Sequence, residues 1–247
     1  MILVLGGTSD SLKICDLLNK MGKSYILSVA TEYGREISKK YCKYINVARL
    51  DKYGMIKFIK QNNIETIVDA THPYALEVSQ NAMDASYENN IKYIRYERSS
   101  SNILEHESII KVNNIKEACN VANKIGENIF LSTGSKNLGE FVKNLKNKNI
   151  IARVLPTSEV LKSCEDLGLK AHNIVAMKGP FSYDINKSLY KFYNCDLVIT
   201  KESGIAGGFE EKLRASIDSN IKTIVILRPT LDYPEKIDDI EALSGRV

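Results

Sequence analysis

The sequence has few of the side chains from which metal centres and disulfide frameworks are built. Its five cysteines are scattered without a Cys-x-x-Cys pair, which indicates reduced thiols in a cytoplasmic protein. Its three histidines, His72, His106 and His172, lack the spacing of metal ligands. We therefore expect neither structural disulfides nor a metal site.

Long apolar runs and strong charge are also missing. No stretch approaches the ~20 apolar residues of a transmembrane helix, and no basic region precedes the first apolar run, so we expect no membrane association and no signal peptide. The formal net charge of +4 is too small to argue for nucleic-acid binding. It suits a polyanionic small molecule if the cations converge on one cleft.

Several catalytic signatures are absent as well. The sequence lacks the G-x-x-x-x-G-K-[ST] motif, which argues against a P-loop ATPase. Spacing supports no Ser-His-Asp order and no pair of catalytic acids. Such a lack of catalytic groups fits chemistry that a bound cofactor supplies.

Short β-branched runs alternate with amphipathic stretches, which predicts an α/β fold with parallel sheets. We predict strands at 2–5, 25–30, 44–47, 66–70, 92–96, 109–112, 128–132, 150–154, 173–177, 196–200 and 222–227. Helices are predicted near 9–21, 34–41, 51–62, 74–89, 115–125, 137–146, 158–167, 182–192 and 208–219, with a short one around Asp238–Leu243. We place the change of domain near 112–128, which gives domains 1–120 and 121–247.

Glycines, hydroxyls and cations collect just after four of the predicted strands. These loops begin at Gly6, Thr71, Ser132 and Thr200. The carboxyl ends of parallel strands meet at one edge of a sheet, where ligands bind. The four loops therefore predict one large site to which both halves contribute.

The first of these loops, Gly6-Gly7-Thr8-Ser9, precedes a predicted helix. Glycines let the backbone approach a pyrophosphate, and the helix N-terminus favours the anion. The loop departs from G-x-G-x-x-G, so a tight turn with a serine cap is the alternative.

The end of the second strand distinguishes the two nicotinamide cofactors. Ser28, Thr31 and Arg35 offer hydroxyls and a guanidinium to the extra phosphate of NADPH, whereas Glu32 argues against it. We favour NADPH, and an ordinary surface arginine is the alternative for Arg35.

The remaining loops carry candidate chemistry. His72 stands before a proline that keeps it out of helical backbone, and it either donates a proton or caps the turn. Several cations and hydroxyls follow strands of the second half, where they suit a substrate with several carboxylates. They are Ser135, Lys136, Arg153, Lys178, Lys201 and Ser203, and Gly204 is assigned to the same site.

Short strings are spread nearly end to end along the sequence: GGT at Gly6–Thr8, SVATEYGRE at Ser28–Glu36, DATHPYA at Asp69–Ala75, RYER at Arg95–Arg98, STGSKNL at Ser132–Leu138, ARVLP at Ala152–Pro156, MKGPFS at Met177–Ser182, TKESG at Thr200–Gly204, Gly207-Gly208, EKL at Glu211–Leu213 and Arg228-Pro229. In their order and position, these strings resemble the precorrin-6A reductase family of corrin biosynthesis.

The resemblance implies two Rossmann-like domains, with cofactor and substrate in the cleft between them. It implies NADPH-dependent reduction of the ring double bond between carbons 18 and 19 of precorrin-6A or its cobalt form. We expect a monomer or small homo-oligomer, and we favour the cobalt form. Cofactor binding is assigned to Gly6, Gly7, Thr8, Ser9, Ser28, Thr31, Arg35, Thr71 and His72. Substrate binding is assigned to Tyr74, Arg98, Ser135, Lys136, Arg153, Lys178, Lys201, Ser203 and Gly204.

The proton donor stays open among His72, Lys201, Glu202 and water. Two other functions are alternatives. One is a different NADP-dependent reductase or epimerase, although no Tyr-x-x-x-Lys pair stands out at a suitable strand end. The other is a non-catalytic NADPH sensor, against which the cation-rich second half argues.

Overall fold

A computed structural model describes residues 1–98, 105–203 and 207–247. Up to residue 98, strands and helices alternate: β1 (Ile2–Leu5), α1 (Ser9–Lys20), β2 (Tyr25–Val29), α2 (Glu32–Ser38), β3 (Ile45–Val47), α3 (Lys52–Gln61), β4 (Thr66–Asp69), α4 (Leu76–Glu88) and β5 (Lys92–Tyr96). Side-chain caps begin several helices, as where Thr8 Oγ1 accepts from the Ser11 N–H at 3.3 Å.

The alternation continues through β6 (Ile109–Val112), α5 (Ile115–Ile125), β7 (Asn128–Ser132), α6 (Leu138–Asn144), β8 (Asn149–Val154), α7 (Ser158–Asp166), β9 (Ile174–Ala176), α8 (Tyr183–Phe192), β10 (Leu197–Lys201), α9 (Phe209–Ile217), β11 (Lys222–Ile226) and β12 (Lys236–Ile237). Short 3₁₀ turns lie at Ala171–Asn173 and Glu241–Leu243. The predicted tail helix is thus reduced to one 3₁₀ turn.

The chain forms two compact units. The first contains residues 1–98 and Pro229–Val247, and the second contains the described residues between 105 and 228. The division predicted at 120 differs from this one, because β6 pairs with β11 of the second unit and β12 pairs with β5 of the first. The C-terminal segment therefore completes the sheet that the N-terminal segment begins.

Each unit holds one parallel six-stranded sheet, so the predicted α/β class is confirmed. The order is β12-β5-β4-β1-β2-β3 in the first and β6-β11-β10-β7-β8-β9 in the second. Central strands are covered on both faces: Leu3 and Val4 of β1, like Val198 and Ile199 of β10, have no exposed surface. Buried parallel strands read as continuous apolar runs, which is why the sequence predicts them well.

Helix-to-strand turns use asparagine repeatedly. Asn63, Asn90, Asn147, Asn194 and Asn220 all have positive φ angles. Asparagine enters the left-handed region more readily than most residues, so it ends a helix and turns the chain. Within the described ranges, no helix has both the length and the apolar character needed to cross a bilayer.

Candidate active site

Both sheets reverse their strand order at one place. In the first sheet the chain moves outward from β1 to β3 on one side and from β4 to β5 on the other. In the second, β7 and β10 stand in the same relation. Open α/β sheets bind ligands at the carboxyl ends of the strands at this switch point. We therefore expect ligands to bind at the loops after β1 and β4 in the first unit and after β7 and β10 in the second.

The loop after β1 is shaped for close approach of a ligand. Gly7 has φ +119°, and a Cβ added there would meet nothing within 4 Å, so the backbone faces open space. Gly6 is packed tightly, because a Cβ there would lie 2.7 Å from Leu27 Cδ1. Thr8 caps α1 and donates its hydroxyl to the Ala70 carbonyl at 2.9 Å. Ser9 begins the helix and is exposed.

The first turn of α1 also carries a buried acid. Asp10 Oδ2 lies 2.8 Å from Arg98 Nε, and Asp10 Oδ1 has no hydrogen-bond partner among the described residues. Sequence reasoning assigned Arg98 to the substrate. The structure gives it an ion pair within the first unit, beside the helix that follows the glycine loop.

The predicted phosphate residues after β2 divide into two groups. Ser28 is buried, and its Oγ accepts from Asn46 Nδ2 at 3.1 Å, so its side chain is used inside the sheet. Thr31 caps α2 and is exposed, and Arg35 Nη1 lies 3.3 Å from Glu32 Oε2 one turn away. Thr31 and Arg35 thus have exposed side chains, and their contact with a phosphate stays a prediction.

A buried polar network anchors the loop after β4. Arg95 Nη1 donates to Asp69 Oδ1 at 2.9 Å, and neither residue has exposed surface. Thr71 donates to Oδ1 of the same carboxylate through both its N–H and its hydroxyl, at 3.0 and 2.7 Å. Ser79 and Tyr93 donate to Oδ2 at 2.6 and 2.7 Å. Thr71 is predicted to bind the cofactor; in the structure its contacts with Asp69 fix the start of its loop.

His72 and Tyr74 lie just beyond this anchor. His72 is exposed, and its Nδ1 accepts from the Tyr74 N–H at 3.4 Å. The two rings lie 5.5 Å apart between centroids. This arrangement presents the imidazole at the carboxyl edge of the first sheet, and the turn-capping role that sequence reasoning left open is compatible with it.

In the second unit, Arg153 of β8 is buried rather than displayed. Its Nη1 donates to Asn186 Oδ1 at 2.8 Å, and its Nη2 donates to Ser132 Oγ at 2.6 Å. The guanidinium carbon lies 4.1 Å from the centre of the Phe181 ring. Burial lowers the pKa of Arg153. A charge held this way gives the carboxyl edge a fixed positive potential.

Lys201 ends β10 and reaches the loop after β7. Its Nζ donates to Asn137 Oδ1 at 2.9 Å. Burial and the nearby Lys136 lower its pKa, and Glu140 partly offsets them. Lys136, in the loop after β7, and Lys201, at the end of β10, therefore place two positive charges near each other, and this favours binding of an anion. Lys136 is exposed, Ser135 is half-buried, and Lys178 is exposed in its own loop.

Glu202 has a different setting from that expected of a proton donor. It is buried, its Oε2 accepts from the Arg228 N–H at 3.1 Å, and its Oε1 lies 3.7 Å from Arg228 Nε. These contacts tie β10 to the end of β11. Gly204, which sequence reasoning assigned to the substrate, lies outside the described residues.

Ser203 follows and contacts a residue that sequence reasoning did not select. Lys212 of α9 is 6% exposed, and its Nζ lies 3.5 Å from Ser203 Oγ. The sequence gives it one signal, the EKL string after a glycine pair. In sequence a helical lysine among glutamates resembles a solvated one, so its burial could not be read from the pattern.

The fold and these loops define a two-unit parallel α/β protein with polar side chains at both switch points. The family model for "Precorrin-6x reductase CbiJ/CobK" matches residues 1–247. The chain belongs to this family, and the resemblance inferred from its motifs is confirmed.

Known proteins agree with the family over nearly the full length. Cobalt-precorrin-6A reductase of Methanocaldococcus jannaschii is 41% identical over 98% of this chain and 96% of the relative. The Salmonella typhimurium protein of the same name is 38% identical over 93% of this chain and 88% of the relative. The solved structure of CobK precorrin-6A reductase matches with a TM-score of 0.81 at 20% identity, covering 99% of this chain and 95% of that one, which shows the fold.

Proposed function

We propose that this chain reduces a ring double bond of cobalt-precorrin-6A in cobalamin biosynthesis, with NADPH as the reductant. The observation that carries the proposal is the position of polar side chains at both switch points of a chain 41% identical to a cobalt-precorrin-6A reductase. The cobalt form is preferred because the relatives at 41% and 38% identity both carry that name.

The loop after β1 fits a dinucleotide. Gly7 opens onto free space with a positive φ, and α1 begins two residues later with N–H groups in its first turn that favour an anion. Thr8 holds this loop to the end of β4, so its shape is fixed before a ligand arrives. These features support a pyrophosphate contact by Gly6, Gly7, Thr8 and Ser9.

The preference for NADPH rests on Thr31 and Arg35. Their exposed side chains lie at the end of β2, where the extra phosphate of NADPH would sit. Glu32 pairs with Arg35 and would have to release it for a phosphate to bind. Ser28 is set aside from this contact, because its hydroxyl is buried against Asn46.

The cationic edge of the second unit supports an acidic macrocycle. Lys136 and Lys201 present positive charge beside Ser135, and the buried Arg153 reinforces it. Charge-assisted hydrogen bonds to carboxylates are stronger than neutral ones. We assign carboxylate binding to this edge, with Lys178 as a further contact.

Reduction of a double bond needs a hydride and a proton. A bound reduced nicotinamide supplies the hydride; the protein positions the substrate and delivers the proton. Of the residues considered from sequence, His72 is exposed at the first sheet edge and Lys201 is half-buried at the second. Glu202 is less suited to proton transfer, because Arg228 already holds its carboxylate.

The test is a reduction assay with purified protein, cobalt-precorrin-6A and either NADPH or NADH. We expect loss of NADPH absorbance together with a change in the spectrum of the macrocycle, and slower turnover with NADH. NADPH binding without turnover would instead favour the sensor. Turnover of precorrin-6A but not of its cobalt form would reverse the choice of substrate.

A further inference from the structure

Lys212 is a buried lysine whose ammonium group has few polar contacts. Its side chain lies inside the second unit with 6% of the residue exposed, and its one hydrogen bond within the described ranges is to Ser203 Oγ, at 3.5 Å. No carboxylate of the described residues lies within 4.0 Å of its Nζ, so it forms no ion pair there. Buried lysines without a paired acid are costly, and they are retained where their chemistry is used.

The charges around Lys212 come from two elements. Arg153 of β8 adds a like charge, and Glu211 of its own helix α9 opposes it at longer range. Burial, followed by Arg153, lowers the pKa of Lys212 to about 7, and Glu211 raises it only in part. A group with a pKa near the working pH exchanges its proton most effectively.

The backbone is shaped to bring Ser203 to this lysine. A Cβ on Gly207 would lie 2.4 Å from Ser203 Oγ, so that hydroxyl occupies space that only glycine leaves. Gly208, at φ +60°, is the N-cap of α9, and Lys212 is the fourth residue of that helix. Gly207 therefore leaves room for the Ser203 hydroxyl, which lies beside Lys212 and two residues after the end of β10.

Two buried atoms in the same region lack partners. Thr133 Oγ1, just after β7, and Glu211 Oε2, beside Lys212, have no hydrogen-bond partner in the described part of the chain. Strands β7 and β10 are neighbours, with Ser132 paired to Thr200. Buried polar atoms of native proteins are almost always satisfied, so we expect each of these two atoms to bind water or a ligand.

We propose that Lys212 and Ser203 form a proton relay, in which Ser203 delivers to the substrate the proton that the reduction requires and Lys212 resupplies Ser203. The inference deepens the proposed function and rests on it. Lys212 acts here as a positioning residue behind Ser203, since it reaches the substrate only through that hydroxyl.

The proposed step conserves atoms and charge. One carbon of the ring double bond receives the hydride, with both electrons, from a reduced nicotinamide dinucleotide. The neighbouring carbon takes a proton from Ser203 Oγ, which takes one in turn from the Lys212 ammonium. Lys212 is left as a neutral amine and regains its proton from water. The net change is the addition of two hydrogens to the substrate and oxidation of the dinucleotide.

The test is the pH profile of kcat in Lys212→Met, Ser203→Ala and the double variant. Because a general acid contributes about 10²–10⁴-fold, we expect Lys212→Met to lower kcat about 100-fold or more with KM within about twofold. Wild-type kcat should fall as pH rises through the pKa of Lys212, and the variant should lack that fall. Two members of one relay act as a unit, so the double variant should match the slower single variant.

Methionine keeps the length of the lysine stem and removes the buried charge, so the variant should fold. Lys222→Gln, at the amino end of β11 and exposed, is the matched control and should keep wild-type kinetics. Signals from ¹³Cε-labelled lysine follow the titration of Lys212 without turnover, and the signal that Lys212→Met removes should titrate near neutral pH.

The outcomes separate the two proposals. If wild-type protein reduces neither cobalt-precorrin-6A nor precorrin-6A, the proposed function is wrong. If it reduces the substrate and Lys212→Met keeps the wild-type kcat and its pH profile, the relay is overturned and the function stands. A raised KM at unchanged kcat would also overturn the relay, because it would make Lys212 a carboxylate-binding residue.

Discussion

Asp69 and Arg95 form an ion pair that water does not reach, with Nη1 2.9 Å from Oδ1 and side-chain exposures of 0% and 1%. The Asp69 carboxylate also accepts hydrogen bonds from the N–H and the hydroxyl of Thr71. The next residue, His72, lies at the edge of the sheet. The pair thus connects the interior of the first unit to the loop on which cofactor contacts are proposed. Tyr233 of the C-terminal segment covers Arg95, with the guanidinium carbon 5.3 Å from its ring centre.

Replacing Arg95 by methionine should destabilise the protein strongly. Removal of one partner leaves the Asp69 carboxylate buried without its counter-charge, which costs about 3–5 kcal/mol of unfolding free energy. Urea denaturation measures the loss. Arg49→Met, an arginine outside the network, serves as the control and should stay within about 0.5 kcal/mol of wild type. Equal stability of Arg95→Met and wild type would show that the pair contributes little.

Arg35→Ala should weaken NADPH binding and leave NADH nearly unchanged. A charge-assisted hydrogen bond contributes about 1.5–3 kcal/mol, so the dissociation constant for NADPH should rise about 10- to 100-fold. Glu32→Gln should have the opposite effect, because it frees Arg35 and removes a negative charge. Titration of cofactor fluorescence measures both constants. Lys39→Ala is the control, because Lys39 directly follows α2 and pairs with Glu36.

If both cofactors are weakened equally by Arg35→Ala, the assignment of Arg35 to the extra phosphate is refuted. An unchanged NADPH constant in both variants would place the phosphate elsewhere.

Lys201→Ala should raise KM for the macrocycle and leave cofactor affinity intact. Lys201 lies at the second switch point, so the variant should lose an interaction with a substrate carboxylate. We expect this loss to raise KM about 10-fold. Steady-state kinetics with varied substrate at saturating NADPH measures the change. Lys143→Ala, exposed on α6 near the same loop, is the control. A wild-type KM for Lys201→Ala would remove this lysine from the substrate site.

Stability should depend on pH through Lys212. Its pKa is lowered from 10.5 to about 7 in the folded protein, so between these values the unfolded chain binds more protons. Unfolding free energy therefore rises with pH in this window, by up to about 1.4 kcal/mol per pH unit from this group. The difference between wild type and Lys212→Met isolates it from other titrating groups. We expect the advantage of Lys212→Met to be largest at or below pH 7 and to shrink above it; a difference independent of pH would contradict the lowered pKa.

Most of the fold could be predicted because parallel strands covered on both faces are continuous apolar runs bounded by turn residues. Lys236–Ile237 escaped prediction, since two residues carry no periodicity. The domain division escaped for the same reason. Pairing of this short strand with β5 returns the tail to the first unit, and no local pattern records a partner so distant in sequence.

The candidate site was predictable in its loops and less so in its side chains. Strand ends predicted where Thr8 and Thr71 lie in the first unit and where Lys201 lies in the second, because topology alone brings such loops to the carboxyl edge of each sheet. Burial decided the rest. Ser28 turned inward to Asn46, and Lys212 turned inward from a helix whose sequence reads as charged. Which face of a short charged helix packs depends on its neighbours, and these are a property of the assembled sheet.

The return of the tail to the first sheet has a consequence for synthesis on the ribosome. Residues 1–98 emerge first, yet β12 and the ring of Tyr233 that covers Arg95 are made last. While the second unit is being translated, the first sheet lacks its outermost strand β12, and Arg95 lacks the ring that covers it. The nascent chain can therefore complete the second unit before the first.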